Sequence, residues 1–263
     1  MASKISLFVL SCTVLIPAWY RFSAQDYIPS LIRPNMFFPG CVTLPKIEPG
    51  YAAQLIATDP LLITITEFLT PNEASYLVTL GTPLFQRSLI NSGEITSQRT
   101  SDSCFLPGND TVVSLVKQRA KDFLGGVPYD DIEAVQLVRY VEGQKVDLHF
   151  DWYQGQLPVS KKTGKRYNRL ASFFIYVIAD CTGGETWFPN ITTPSSFQKD
   201  QTTPVQTLDH SNGLALKARA GSGVFWMNLT NGTVGNTKTL HAGLPVKSGI
   251  KIGMNIWVMR TVE

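Results

Sequence analysis

The apolar positions of this chain change their period along its length, and the change divides it into elements. Leu61 to Phe68 alternates apolar and polar residues, which predicts a strand. Thr70-Pro71-Asn72-Glu73 then offers an N-cap hydroxyl, a proline at the first helical position and a glutamate placed to close a capping box, predicting a helix to about Leu80. From Asn109 or Asp110 to Leu124, Val112, Leu115, Val116, Arg119, Ala120 and Phe123 recur at helical spacing, and Gly125-Gly126 supplies a stop. Beyond Ala134 the period becomes two. Strands are predicted at Ala134–Val141, Lys145–Tyr153, Leu170–Ala179, Glu185–Phe188, Leu214–Ala218, Gly223–Asn228, Thr237–Ala242 and Lys251–Arg260. Short strands following a helical start define an α+β, mainly β chain. The architecture that fits is a double-stranded β-helix (jelly roll, cupin-like) with N-terminal helices buttressing one sheet.

The N-terminal part reads differently. Lys4 precedes an apolar run from Ile5 to Tyr20, so residues 1–24 are expected to be a signal peptide or, if uncleaved, a membrane anchor. Residues 25–54 form a Pro-rich arm that extends towards residue 60, and 55–263 form the single folded domain. A secretory route, to the endoplasmic reticulum lumen or outside, agrees with glycosylation sequons at Asn109, Asn190, Asn228 and Asn231, of which Asn228 directly follows the apolar run Val224 to Met227 and so lies close to the core. Cys41, Cys104 and Cys181 remain after signal removal, enough for one disulfide and one free thiol.

Composition narrows the function. A net charge of +3 over 263 residues argues against a nucleic-acid surface. The one dense basic run, Lys161-Lys162-Thr163-Gly164-Lys165-Arg166, is expected to be a solvated loop.

The candidate chemistry centres on His149-Phe150-Asp151. On an extended strand, side chains two apart share a face, so imidazole and carboxylate point the same way. Together they are two-thirds of a 2-His-1-carboxylate triad, which leaves open coordination positions on non-haem Fe(II). The chain has three histidines. His241, in the strand-like run Lys238-Thr239-Leu240-His241, is the candidate third ligand, whereas His210 lies in a polar insertion and reads as a loop residue. Lys251 opens the apolar strand Ile252 to Val258. It either meets an anion inside the barrel or sits at the strand edge in water.

These residues, in this order and spacing, resemble the prolyl 4-hydroxylase branch of the 2-oxoglutarate- and Fe(II)-dependent dioxygenases. The resemblance spans about residues 55 to 262. It includes Arg99-Thr100-Ser101, Gln136-Leu137-Val138-Arg139-Tyr140, Gly183-Gly184-Glu185-Thr186 and His241-Ala242-Gly243. It implies an enzyme that oxidises a C–H bond of its acceptor while converting 2-oxoglutarate to succinate, using Fe(II) and O2, with ascorbate as reductant. It further implies iron held by His149, Asp151 and His241. Lys251, Tyr140 and Ser172 would contact the co-substrate, and Trp257 would line the acceptor pocket.

The chain departs from the family where a tyrosine that helps hold the target proline is replaced by Val146; Ile252 and Leu244 replace a common Trp and Cys. The acceptor is therefore expected to be either peptidyl proline or a small metabolite, with the loop at 154–169 and the insertion at 190–212 as candidate lids. The rival class, a non-catalytic jelly-roll binding subunit, predicts a damaged ligand set, and this set is intact.

Overall fold

A computed structural model describes residues 50–89, 96–192, 205–206 and 213–262. The leader, most of the Pro-rich arm, Cys41 and His210 lie outside the described residues. The strands are β1 (Ala52–Thr58), β2 (Leu61–Thr66), β3 (Gln86–Arg87), β4 (Asp102–Phe105), β5 (Asp131–Ile132), β6 (Gln136–Val141), β7 (Val146–His149) and β8 (Tyr167–Gly183). After them come β9 (Thr186–Phe188), β10 (Val205–Gln206), β11 (Leu214–Leu216), β12 (Gly223–Met227), β13 (Leu229–Thr230), β14 (Val234–Gly235), β15 (His241–Gly243) and β16 (Val246–Thr261). Helix α1 (Pro71–Gly81) follows β2, and α2 (Thr111–Leu124) follows β4.

The helices begin where local chemistry dictates. Thr70 Oγ1 accepts from the Glu73 amide, and the Glu73 carboxylate accepts from the Thr70 amide, completing the capping box. Asp110 accepts from the amides of Val112 and Val113, and Gly125, at φ 56°, ends α2. Arg119, on the buried side of α2, forms a two-armed ion pair with Glu73, at 2.7 and 3.2 Å, and donates to the Phe68 carbonyl. One buried guanidinium therefore ties the start of α1 to α2.

The large sheet has the order β1-β2-β12-β8-β16-β6-β4-β3, with β5 on β16; the smaller sheet runs β10-β11-β9-β15-β7. Antiparallel pairing of β8 with β16, from Tyr167 opposite Thr261 to Gly183 opposite Val246, forms the spine. Alternation gives the spine two faces. Phe173, Ile175 and Val177 of β8, with Ile252, Met254, Ile256 and Val258 of β16, face the core shared with α1 and α2. There Phe68, Phe123, Phe173 and Phe225 pack with ring centroids 4.8–5.9 Å apart. Phe68, Phe173 and Phe225 are fully buried and each contributes roughly 1.5–3 kcal/mol, while Phe123 is partly buried. On the other face, Phe174 and Tyr176 join Leu62, Phe188, Leu214, Val224 and Trp226 between the sheets.

The expected jelly roll with two helices is thus observed, with three local corrections. Residues 52–58 are strand β1, paired with β2, not arm. Residues 237–239 form a 3-10 turn, because the Asn236 side chain accepts from the Lys238 amide and bends the chain before His241. Strand β7 stops at His149, so Asp151 lies in the following bend. Cys104 and Cys181 are free thiols, so the disulfide that the cysteine count allowed does not join them. No helix among the described residues is long and apolar enough to cross a membrane.

Candidate active site

The strand register brings the distant histidines together. His241 of β15 pairs directly with His149 at the end of β7, and their ring centroids lie 4.3 Å apart. Donor atoms of His149, Asp151 and His241 all fall within 4.8 Å of one another, with Asp151 Oδ1 3.8 Å from His149 Nε2 and 4.0 Å from His241 Nε2.

Backbone carbonyls fix both imidazoles in the same manner. His149 Nδ1 lies 2.9 Å from the Asp147 carbonyl oxygen, and His241 Nδ1 lies 2.9 Å from that of Thr239. A carbonyl only accepts, so each Nδ1 carries the proton and each Nε2 presents its lone pair to the centre. Lost hydration and the adjacent His241 push His149 down to about 4, against the pull of Asp151, which leaves a neutral ligand at pH 7. Burial opposes ionisation of Asp151. His241, His149, Arg169 and the Ser172 hydroxyl outweigh it and hold the carboxyl below its usual range. Two imidazoles that each present Nε2 and one carboxylate, with their outer atoms already engaged, fit an Fe(II) ion with open positions.

Behind the carboxylate runs a buried relay. Ser172 Oγ donates to Asp151 Oδ2 at 2.6 Å, Asn228 Nδ2 donates to Ser172 Oγ at 2.8 Å, and Trp226 Nε1 donates to Asn228 Oδ1 at 2.8 Å. The serine hydroxyl, which the family resemblance assigned to the co-substrate, is directed here at the metal-binding carboxylate. Asn228, which directly follows the apolar run Val224 to Met227, is fully buried in this relay; Asn109, Asn190 and Asn231 are exposed.

Two further groups flank the centre. Arg169 Nη1 donates to the Asp151 carbonyl at 3.3 Å, while Nε and Nη2 donate to Glu133 at 2.7 and 2.9 Å. Its guanidinium carbon lies 3.6 Å from the Trp257 ring centroid and 4.9 Å from that of Tyr153. Trp257 pairs across the ladder with Ser172, and its buried indole N–H has no partner among the described residues. Arg169 and Asn228 were not recognised as site residues from the sequence. A lone arginine heading the apolar stretch Leu170–Ala179 was the available signal for the first, and the sequon masked the second.

Lys251 is fully buried. Its Nζ donates to the Gly184 carbonyl at 2.7 Å and lies 4.4 Å from the centroid of Tyr140, its cross-strand partner. No carboxylate comes within 4.0 Å of it among the described residues. Burial pushes the ammonium down to about 8, partly opposed by Cys181 and Glu185, and raises the Tyr140 phenol to about 12. Of the two alternatives, the lysine inside the barrel is the one observed. Gly184 makes room for it: a Cβ there would lie 3.4 Å from Lys251 Cδ and 3.1 Å from a Val246 methyl. Val146 opens β7 opposite Gly243 and packs with Tyr140, Val138 and Val246.

A pre-set metal triad in the mouth of a jelly roll, with an isolated cation farther inside, defines a metal-dependent enzyme that also takes an anionic co-substrate. Residues 135–259 match the 2OG-Fe(II) oxygenase superfamily. A relative from Arabidopsis thaliana named probable prolyl 4-hydroxylase 6 is 30% identical over 81% of this chain and 73% of its own length. Probable prolyl 4-hydroxylase 4 of the same plant is 28% identical over 81% and 71%. Among solved structures, the viral collagen prolyl hydroxylase of Paramecium Bursaria Chlorella virus-1, as its 2-oxoglutarate complex, is 26% identical with a TM-score of 0.53, covering 76% of this chain and 96% of its own. The chain belongs to the 2-oxoglutarate- and Fe(II)-dependent oxygenases of the prolyl 4-hydroxylase type, and is a dioxygenase using Fe(II) and 2-oxoglutarate.

Proposed function

We propose that the enzyme hydroxylates a side chain within an extended peptide, most simply a peptidyl proline. The observation carrying this reading is the His149, Asp151 and His241 triad together with the fully buried Lys251, in a chain 30% identical to a relative named probable prolyl 4-hydroxylase 6. Relatives whose names record prolyl hydroxylase activity support the same acceptor.

His149, Asp151 and His241 would hold the iron, which, with O2 and 2-oxoglutarate, supplies the oxidation of the acceptor C–H bond and the decarboxylation of the co-substrate to succinate. Lys251 would meet the distal carboxylate of 2-oxoglutarate, with the Tyr140 hydroxyl beside it. Ser172, backed by Asn228, would hold Asp151 in the orientation that keeps one oxygen for the metal. Trp257, stacked on Arg169, and Val146 would bound the acceptor pocket. Because Val146 is smaller and drier than tyrosine, the pocket also accommodates a bulkier or more apolar acceptor, a small metabolite included. Ascorbate would maintain the ferrous state. The apolar leader and the exposed sequons at Asn109, Asn190 and Asn231 support a place in the secretory pathway.

The test is to incubate the Fe(II)-loaded enzyme with 2-oxoglutarate, O2 and proline-rich peptides, following succinate release and a gain of one oxygen by mass spectrometry. Succinate release without any peptide oxidised would overturn the peptide acceptor and leave the metabolite.

A further inference from the structure

Beside the turn that carries Asp151 lies a cavity of about 560 Å³, walled by Phe150, Trp152 and Tyr153. Phe150 and Trp152, on either side of the iron-binding carboxylate in sequence, have ring centroids 4.8 Å apart. Gly235 of β14 is packed so flat against the Trp152 indole that a Cβ there would come within 2.3–2.4 Å of its ring atoms. Tyr153 is fixed through its backbone, with its N–H donating to Asn168 Oδ1 and its carbonyl accepting from Asn168 Nδ2. The Trp152 indole N–H is buried and has no partner among the described residues. A second cavity, of about 350 Å³, shares Leu157 and Val262 with the first and ends at Lys165 and Arg166.

The two therefore run on as one groove, aromatic beside the metal turn and basic at its far end. The charge there is uncompensated. Lys162 pairs with Asp131 at 3.1 Å, but Lys165 and Arg166, which line the far end, and Lys161 of the same loop are exposed with no carboxylate within 4.0 Å among the described residues. Arg166 also donates to the Leu157 carbonyl at 2.8 Å, fixing the loop that joins the two cavities.

We propose that this groove receives one flank of the peptide acceptor, and that the flank is acidic. The inference rests on the peptide reading above and adds to it a sequence rule: Asp or Glu on one side of the oxidised residue. An extended chain fits an aromatic wall, as in polyproline recognition, while side chains farther along meet the basic lip. Because these charges are exposed, selection is electrostatic and salt-sensitive.

Equilibrium binding tests the groove independently of turnover. The full chain, loaded with Mn(II) and 2-oxoglutarate, is titrated into labelled peptides of about 12 residues that share a proline-rich centre. They carry aspartates on the N-terminal side, on the C-terminal side, or asparagines in their place. The expected result is that one acidic peptide binds about tenfold tighter than the asparagine peptide at roughly 50 mM salt, while the other does not; the gain fades by about 300 mM. In the Lys161→Glu/Lys165→Glu double variant the preference inverts. Equal gains for both acidic peptides, no gain at all, a gain unchanged in the variant, or matching behaviour of a single-stranded oligonucleotide would each overturn the proposal. Peptide oxidation by the Fe(II) enzyme is scored separately. Its absence alongside one-sided acidic binding would strike the acceptor chemistry and not the groove.

Discussion

Replacing Lys251 with methionine should make the protein more stable and unable to use its co-substrate. The lysine is fully buried, and burial lowers its ammonium from 10.5 to about 8. At pH 7 the folded chain still holds the charge, and the fall from 10.5 to about 8 corresponds to roughly 3 kcal/mol of destabilisation. Methionine fills nearly the same volume without the charge. It forfeits the hydrogen bond to the Gly184 carbonyl, worth about 1 kcal/mol, and leaves a net gain of about 2 kcal/mol. For a domain of this size that is a rise of about 4–8 °C in Tm at pH 7 without 2-oxoglutarate. The sign follows from protons bound: between pH 8 and 10.5 the unfolded chain holds the Lys251 proton that the folded chain has lost, so wild-type stability rises with pH there and the advantage of the variant shrinks. Scanning calorimetry at pH 7 and 9.5 reads the stability. Titration with 2-oxoglutarate in the presence of Mn(II) reads the function, where losing the buried pair should weaken affinity by about 2–5 kcal/mol. A lowered Tm at pH 7, or unchanged 2-oxoglutarate affinity, would refute the reasoning.

Other outcomes follow from the same geometry. The wild-type requirement for 2-oxoglutarate should grow by about tenfold per pH unit above pH 8, as Lys251 loses its proton, whereas Lys251→Met should show no such rise in a pH series of binding titrations. Alanine at His149, Asp151 or His241 should abolish turnover with far-ultraviolet circular dichroism unchanged; a variant active with iron bound removes that residue from the ligand set. Ser172→Ala should weaken metal affinity by about 10–100-fold, because Asp151 loses its 2.6 Å donor, and calorimetric titration with Mn(II) measures this. Wild type should hydroxylate simple proline-rich peptides weakly and Val146→Tyr should improve on it, a hydrogen bond to the ring hydroxyl being worth about 1 kcal/mol; efficient 4-hydroxylation by the unmodified enzyme would count against a role for Val146.

Much of this arrangement was legible in the residues. Capping chemistry placed α1 and α2 to within a residue or two, and alternation located β6, β8, β12 and β16, because those features act over a few neighbouring positions. The triad was legible because its metal chemistry demands particular side chains. What remained hidden depends on contacts distant in sequence. Asn228 looks like a glycan acceptor until β12 folds beside β8 and delivers its amide to Ser172, and Arg169 looks like a stray charge until Glu133 and Trp257 close around it. The 3-10 turn before His241 carries a strand-like pattern, and the hydrogen bond that caps it comes from Asn236, outside that run.

The two-faced spine of β8 and β16 also governs how this sequence is free to vary. Ser172, Phe174 and Tyr176 occupy the inner compartment, and Phe173, Ile175 and Val177 the outer one, so neighbours in the chain answer to unrelated demands. A mutational scan along β8 should show loss of activity and loss of abundance at alternating positions, out of phase with each other. The outer compartment is then free to exchange one apolar shape for another over generations while the chemistry inside stays fixed. An insertion of a single residue, by swapping the compartments of everything beyond it, would destroy both at once.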